Sequence, residues 1–580
     1  MFKSNGDCGY LSLSCWGGSA FTEGYLGVEI FLPISGYLMM NGVLRQIDER
    51  KFEAKRYIVK QLKRLWAPIL VGAIAALLVG YFVMLPDNYE NLAESVIASS
   101  LFAENILEAI TTKNYWDIVN LYKPLMHLWY IGVLFQIQFF LAIFFSVIVR
   151  HFTKPKDAIR NTVVILSIVS LLLYLYPGFS DSEKFYFPWF RTYEVLFGAM
   201  VSFVPQNSVE GKQTTWKIVG SFLTIFMLSI LFFTKFGGQQ LRLFSMVMCT
   251  CALLFYFRQS EGSNCKLLKC FAKIGEASYS IYIVHQIIVA YMYYCFVDHF
   301  CYSILPVYLL AVASATLFMY FFVEKKTLHF NRSLIVLPII CAFLITTSFV
   351  IYMRAGVVKN VVELDISVGD YHRGMHAEYC DNPYRYNADF KSTNKTRVLV
   401  IGNSFGRDWV NVLLESTISD DIEVSYLPYH SEENLNGNEA VLQRRANDAD
   451  LIFFVLGPDY RDIPSSYLHL ISEDKLYVVG SKNFGTSNGI VYCKKNRKDY
   501  LNSTVKLDKA LIDYDNQMRT KFGKKYISIL DSVRVSDLTV RVFTPEGKFI
   551  SQDCRHLTQN GAKYIAGNIK WCDIFGGQNE

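Results

Sequence analysis

Residues 398–409 read VLVIGNSFGRDW. Four aliphatic residues run into Gly402, and a helical stretch follows Asn403 and Ser404. A strand that is apolar at every position has both faces covered, as in a parallel sheet flanked by helices. A serine at a strand-to-helix turn is also where many hydrolases carry their nucleophile. Downstream, DWVNVLLEST (408–417) puts Val410, Leu413 and Leu414 on one helical face, and LIFFVLG (451–457) and KLYVVG (475–480) read as two more buried strands. Strands alternating with helical stretches predict a small parallel sheet over residues 397–580.

Serine attack needs a base, and the base needs a carboxylate to fix its tautomer. QDCRHLTQNGAKYIA (552–566) supplies Asp553 and His556, three apart, just before a predicted helix. The candidate catalytic set is therefore Ser404, Asp553 and His556. Free N–H groups at a helix start can receive an oxyanion, so the Ser404 N–H is a candidate donor.

The rest of the chain is of another kind. Of 580 residues 52% are hydrophobic and 15% aromatic, and the net charge is only +6, which points away from a nucleic-acid partner. A membrane-spanning helix needs roughly 20 apolar residues. About ten stretches qualify, near 25–44, 67–85, 126–149, 160–178, 188–205, 216–234, 241–257, 274–297, 303–323 and 333–353. Lys and Arg concentrate in 45–64 (eight of them), in 150–160, after 257 and after 323. Strict alternation puts these four stretches on one side, which the positive-inside rule makes cytoplasmic. Residues 355–580 then lie outside. Residues 1–24 hold no convincing span and no signal-peptide core; they form an atypical N-terminal segment.

Ionisable residues inside spans are costly and mark function by default. Glu29, His127 with Trp129, Arg191 with Glu194, and His285 stand out, and together they predict a polar cavity. Of 13 cysteines, four (Cys380, Cys493, Cys554 and Cys572) lie in the polar C-terminal third. Their spacing fits no metal pattern; in an oxidising compartment they predict one or two disulfides.

Six segments in order resemble the type 3 membrane acyltransferase family. They are GYLGVEIFLPISGYLM (24–39), LKRLWAPIL (62–70), PLMHLWYIGVLFQIQF (124–139), RTYEVLFGAM (191–200), IGEASYSIYIVHQ (274–286) and FFVEKK (321–326). The resemblance adds Arg64, Tyr279 and Glu324 to the cavity set of Glu29, His127, Trp129, Arg191, Glu194 and His285. It implies transfer of an acyl group, usually acetyl, from a cytoplasmic donor, here acetyl-CoA without a metal, to a sugar of an envelope polymer. Gly-Asn-Ser followed by Asp-x-x-His-Leu resembles the SGNH hydrolase fold, which often follows this membrane family. The resemblance implies Gly457 as a second candidate oxyanion donor beside Ser404, while Asp459 in LGPDY stands where the family usually has asparagine, and an acid is a poor donor.

Two departures stand out. The family's first helix carries an Arg and a His, but here no Arg precedes Arg45 and no His precedes His127. Leu134 and Phe135 stand where many members carry glutamate. The expected protein is thus a polytopic α-helical membrane bundle followed by an extracytoplasmic α/β SGNH-like domain with a parallel sheet. The expected segments are a bundle at 25–332, an additional helix at 333–353, a linker at 354–396 and the α/β domain at 397–580. The expected setting is the bacterial inner membrane, with lipid around the bundle and O-antigen, peptidoglycan or another envelope glycan as acceptor. The competing expectations are an inactive truncated member, a membrane-anchored acetylesterase and a polyprenyl-linked glycan transporter.

Overall fold

The computed structural model describes residues 27–111, 122–205, 220, 222, 224–226, 239–259, 272–296, 304–330, 332–369, 375–391, 394–428, 439–459, 461–485 and 488–576. Residues 1–24, with the atypical N-terminal segment, and most of the span near 216–234 lie outside them. The chain divides into two compact units, Met1–Val83 with Asn91–Val350, and Met84–Glu90 with Ile351–Glu580.

The first unit is helical. Its main helices are α1 (Gly27–Asp48), α2 (Ala54–Val83), α3 (Pro86–Ser100, which begins in the second unit), α4 (Glu104–Thr111), α5 (Trp129–His151), α6 (Pro155–Leu175), α7 (Pro188–Val201), α8 (Gln239–Gln259), α9 (Ser278–Phe296) and α10 (Leu305–Phe318). α11 (Ser333–Met353) follows. Among the described residues, seven helical stretches are long and apolar enough to cross a membrane. They include α1, α2, α5, α6, α8, α10 with its continuation, and α11. The predicted stretches near 188–205 and 274–297 form α7 and α9.

The basic stretches gather at one end of this unit. Asp48 pairs with Lys156, Arg64 Nε lies 3.9 Å from Glu324 Oε1, and Arg258 Nη1 donates to Asn41 Oδ1 at 3.1 Å. That is the parity strict alternation of spans requires.

Between the predicted spans at 67–85 and 126–149 the chain is not a plain loop: α3 and α4 turn at Leu101–Ala103, where Trp66 Nε1 donates to Ser100 O at 2.8 Å and Gln136 Nε2 to Phe102 O at 2.8 Å. These helices are too short to meet a 20-residue span criterion.

The second unit is α/β. Its main sheet has the order β2-β1-β3-β4-β6, all neighbours parallel. The strands are β1 (Thr396–Gly402), β2 (Ile422–Pro428), β3 (Leu451–Val455), β4 (Leu476–Val479) and β6 (Tyr526–Ile527). A small antiparallel sheet joins β5 (Thr504–Lys506), β8 (Thr539–Arg541) and β7 (Arg534–Ser536). Val398, Leu399, Val400 and Ile401 are all fully buried. Val398 and Val400 face a core with Trp409, Leu413 and Phe453; Leu399 and Ile401 face the opposite one with Leu442, Ala446 and Ile452. Two covered faces are what a doubly wound sheet needs, and its ligands usually bind beyond the carboxyl ends of the strands.

Residues 354–396, expected as a linker, partly join this unit. Ser425 Oγ on β2 donates to Ala388 O at 2.7 Å, and Asp389 pairs with Arg445 at 2.9 Å. The expected disulfides are not formed. Cys380, Cys493, Cys554 and Cys572 are not joined in disulfides; Cys380 and Cys554 are buried and Cys572 is exposed.

Candidate active site

β1 ends at Gly402, and α12 (Ser404–Leu414) begins two residues later. The turn is tight enough to need glycine. A Cβ on Gly402 would stand 2.8 Å from the Gly406 Cα and 3.1 Å from the Val455 Cβ. Asn403 caps the helix, its Oδ1 accepting from Phe405 N at 2.9 Å. The Tyr426 hydroxyl on β2 donates to the carbonyls of Gly402 and Asn403, at 3.0 Å each. Ser404 is thus the first residue of a helix at the carboxyl end of a central strand, in a turn held from two sides.

Gly457 sits just past β3. A Cβ there would lie 2.4 Å from Asn403 Nδ2, so its lack of a side chain makes room for that carboxamide. The sequence singled out Gly457; the polar group the turn brings beside Ser404 is Asn403, visible in Gly-Asn-Ser but not weighed there. Asp459 is exposed.

The base comes from a loop that closes on itself through an antiparallel bridge between Ser551 and Leu557. Asp553 Oδ1 accepts from the backbone N–H groups of Arg555 at 2.9 Å and His556 at 2.7 Å. Its Oδ2 lies 2.6 Å from His556 Nδ1. An aspartate there makes Nδ1 the protonated nitrogen and leaves Nε2 as the acceptor. Nε2 is buried and has no hydrogen-bond partner among the described residues. The His556 ring meets Phe405, the neighbour of Ser404, edge to face at a centroid distance of 6.3 Å. The structure therefore brings the Asp553–His556 loop to the start of the helix that carries Ser404.

In the bundle, Glu29, Arg191 and Glu194 meet in full burial. Arg191 Nη2 donates to Glu29 Oε1 at 2.6 Å, and its Nε lies 3.1 Å from Glu194 Oε1. The guanidinium carbon sits 5.9 Å from the Trp129 ring and 5.5 Å from the Phe185 ring. Next to Trp129 in sequence, Tyr130 packs on Tyr282 at 5.7 Å. Tyr282 packs on both His127 and His285, which are themselves 5.4 Å apart. Six of the nine predicted cavity residues thus form one connected network.

The other three form a second group. Besides the Arg64–Glu324 pair, Glu324 Oε2 accepts from Ser280 Oγ at 2.7 Å, and the Tyr279 hydroxyl donates to Leu65 O at 2.7 Å. A short π-helical turn, Met319–Glu324, delivers that carboxylate.

A third polar cluster was missed. Buried Glu104 accepts from Ser95 and Ser99 at 2.8 and 2.9 Å, and Lys123 pairs with Glu108 at 2.9 Å. Two glutamates four apart in ENILEAI were its only sequence signal.

A family model described as "Acyltransferase domain" matches residues 11–353. The chain belongs to that acyltransferase family. The match spans the helical unit through α11 and leaves the α/β unit outside it. The chain is 26% identical over 283 residues to peptidoglycan O-acetyltransferase OatA of Listeria monocytogenes, covering 46% of this chain and 45% of that protein. It is 24% identical over 284 residues to O-acetyltransferase OatA of Staphylococcus aureus, covering 46% of each. The matched region spans a little under half the length of these relatives. No solved structure matches the chain.

Proposed function

We propose that this multi-pass membrane protein is an O-acetyltransferase that moves an acetyl group from a cytoplasmic donor, acetyl-CoA, to a hydroxyl of an envelope glycan outside. Family membership supports the acyl chemistry, and the name of the Listeria relative favours peptidoglycan over O-antigen as acceptor. The bundle would pass the acetyl group across the membrane, with Glu29, His127, Trp129, Arg191, Glu194 and His285 lining its route and Arg64, Tyr279 and Glu324 standing at the cytoplasmic end. The α/β unit, an SGNH-like domain in this reading, would work in the extracytoplasmic space.

The observation that carries the reading is the Asp553–His556 pair beside the helix start at Ser404. Ser404 Oγ attacks the acetyl carbonyl as His556 Nε2 takes its proton; Asp553 holds the Nδ1–H and steadies the imidazolium. The tetrahedral oxyanion faces the Ser404 N–H and the Asn403 amide. Collapse expels the donor group, which takes the proton from His556, and leaves an acetyl-serine. A glycan hydroxyl then gives its proton to Nε2 and attacks that ester, and the departing Ser404 Oγ takes the proton back from His556.

The test is O-acetyl content of envelope glycans, by NMR, in a deletion strain complemented with the chain or with Ser404→Ala. Acetyl restored by the unmutated chain alone supports the reading. Equal restoration by both rules out Ser404 as the acyl carrier. Analysis of separated peptidoglycan and lipopolysaccharide fractions identifies the acceptor.

A further inference from the structure

Lys482, on the loop after β4, has a fully buried side chain whose Nζ lies 2.7 Å from Asp408 Oδ2, itself buried. Asp408 is on α12, one turn beyond Ser404. The same ammonium stands 3.4 Å from the centroid of the Phe405 ring, and that ring meets His556 at 6.3 Å with an interplanar angle of 81°. A buried lysine–aspartate pair is rarely more stabilising than two well-packed apolar side chains. Phe405, Trp409 and Val410, on the same helix as Asp408, belong to an apolar core, where a charge pair is costly to bury. What distinguishes the pair is its place, under the turn that carries Ser404 and one ring away from the base.

We propose that Lys482 and Asp408 are positioning residues for His556: a balanced charge pair that braces the imidazole through Phe405, its two charges acting on that ring in opposite senses. The proposal rests on the reading of Ser404, Asp553 and His556 as the reacting groups.

The charges around the pair are few. From α12 come Asp408 and Arg407, the latter paired with Asp381. From the His556 loop come Asp553, Cys554 and Arg555. Among the described residues, Cys380, Tyr379 and Tyr426 are further titratable neighbours of the pair. Burial pushes the thiols of Cys380 and Cys554 and the two phenols above their ordinary ranges, which keeps all four neutral. Burial draws the Lys482 ammonium down, while Asp408 and then Asp553 hold it up. By sign, the Lys482 ammonium opposes a second positive charge nearby and the Asp408 carboxylate favours one.

The test is the pH profile of kcat/KM for p-nitrophenyl acetate with the full chain in detergent. In Lys482→Met the acid limb moves to higher pH, by about one unit for loss of a nearby buried charge. In Asp408→Asn it moves the other way, and in the double variant it returns near the wild-type position. Lys482→Arg, which keeps the charge, stays with the wild type. If Lys482→Met does not fold, Asp408→Asn still moves the limb to lower pH and the double variant still returns it toward the wild-type position. Equal loss of rate at all pH values, with the limbs unmoved, overturns the proposal. Undiminished ester cleavage by Ser404→Ala overturns the reading beneath it instead.

Discussion

Gly198 of α7 lies against the carbonyl oxygen of Pro33 on α1; a Cβ at Gly198 would be 1.9 Å from it. Gly36 makes the converse contact, its Cβ position 1.8 Å from Val195 O. Such reciprocal close approach is the small-residue packing of membrane helices. It brings Arg191 and Glu194 within reach of Glu29, so the glycine of the RTYEVLFGAM segment and its charged residues serve one arrangement.

Gly198→Ala and Gly36→Ala are therefore expected to push α1 and α7 apart. Overpacking costs about 1–3 kcal/mol, occasionally more. Thermal unfolding in detergent should show the loss for each variant. Gly42→Ala is the control, since a Cβ there meets nothing within 4 Å.

Arg191 faces two carboxylates, and all three side chains are about 1% exposed. Arg191→Met removes the cation and leaves Glu29 and Glu194 together. Breaking a buried pair from one side costs about 3–5 kcal/mol. The expected result is little folded protein in the membrane fraction. Adding Glu29→Gln and Glu194→Gln to Arg191→Met should recover much of it, because no uncompensated charge then remains. If the triple variant accumulates no better than the single one, loss of the Arg191 side chain, not stranded charge, is the cause.

Much of this was legible because it is local or periodic. Apolar length gave the spans. Runs of Lys and Arg gave the parity that the Asp48–Lys156, Arg64–Glu324 and Arg258–Asn41 contacts reproduce. Continuous apolar runs gave β1, β3 and β4, while β2 was missed because Glu423 and Ser425 interrupt its pattern. Asp553 and His556, three apart, were visible for the same reason. Contacts between residues far apart in sequence left no such trace. Nothing in the neighbourhood of Lys482 announces Asp408, and the role of Gly457 appears only when Asn403 folds against it.

Asp553→Asn keeps the side chain's shape but lets its amide donate, which favours the wrong imidazole tautomer. Loss of the triad carboxylate in serine hydrolases costs up to about 10⁴-fold in kcat. Asp553→Asn and His556→Gln are each expected to lower acetyl transfer by about 10²–10⁴-fold. Glycan O-acetyl content and hydrolysis of p-nitrophenyl acetate provide two readouts. An Asp553→Asn variant with full activity in both would show that His556 needs no carboxylate.

Lys359 gives the α/β unit a pH dependence away from the site. Its ammonium sits 5.1 Å from the Tyr492 ring centroid. Burial, and then the nearby Lys495 ammonium, bring its pKa down to about 8. An unfolded lysine titrates near 10.4. Between about pH 8 and 10.4 the unfolded chain keeps a proton that the folded one has released, so stability from this group rises with pH across that window. Below about pH 8 the folded protein carries this half-buried charge and bears its cost. Lys359→Met removes this dependence but also loses the contact with Tyr492. The difference in melting temperature, variant minus wild type, should therefore be most favourable to the variant near pH 7 and fall steadily toward pH 10. A difference constant over that range would show that the Lys359 pKa is the same in the folded and unfolded chains.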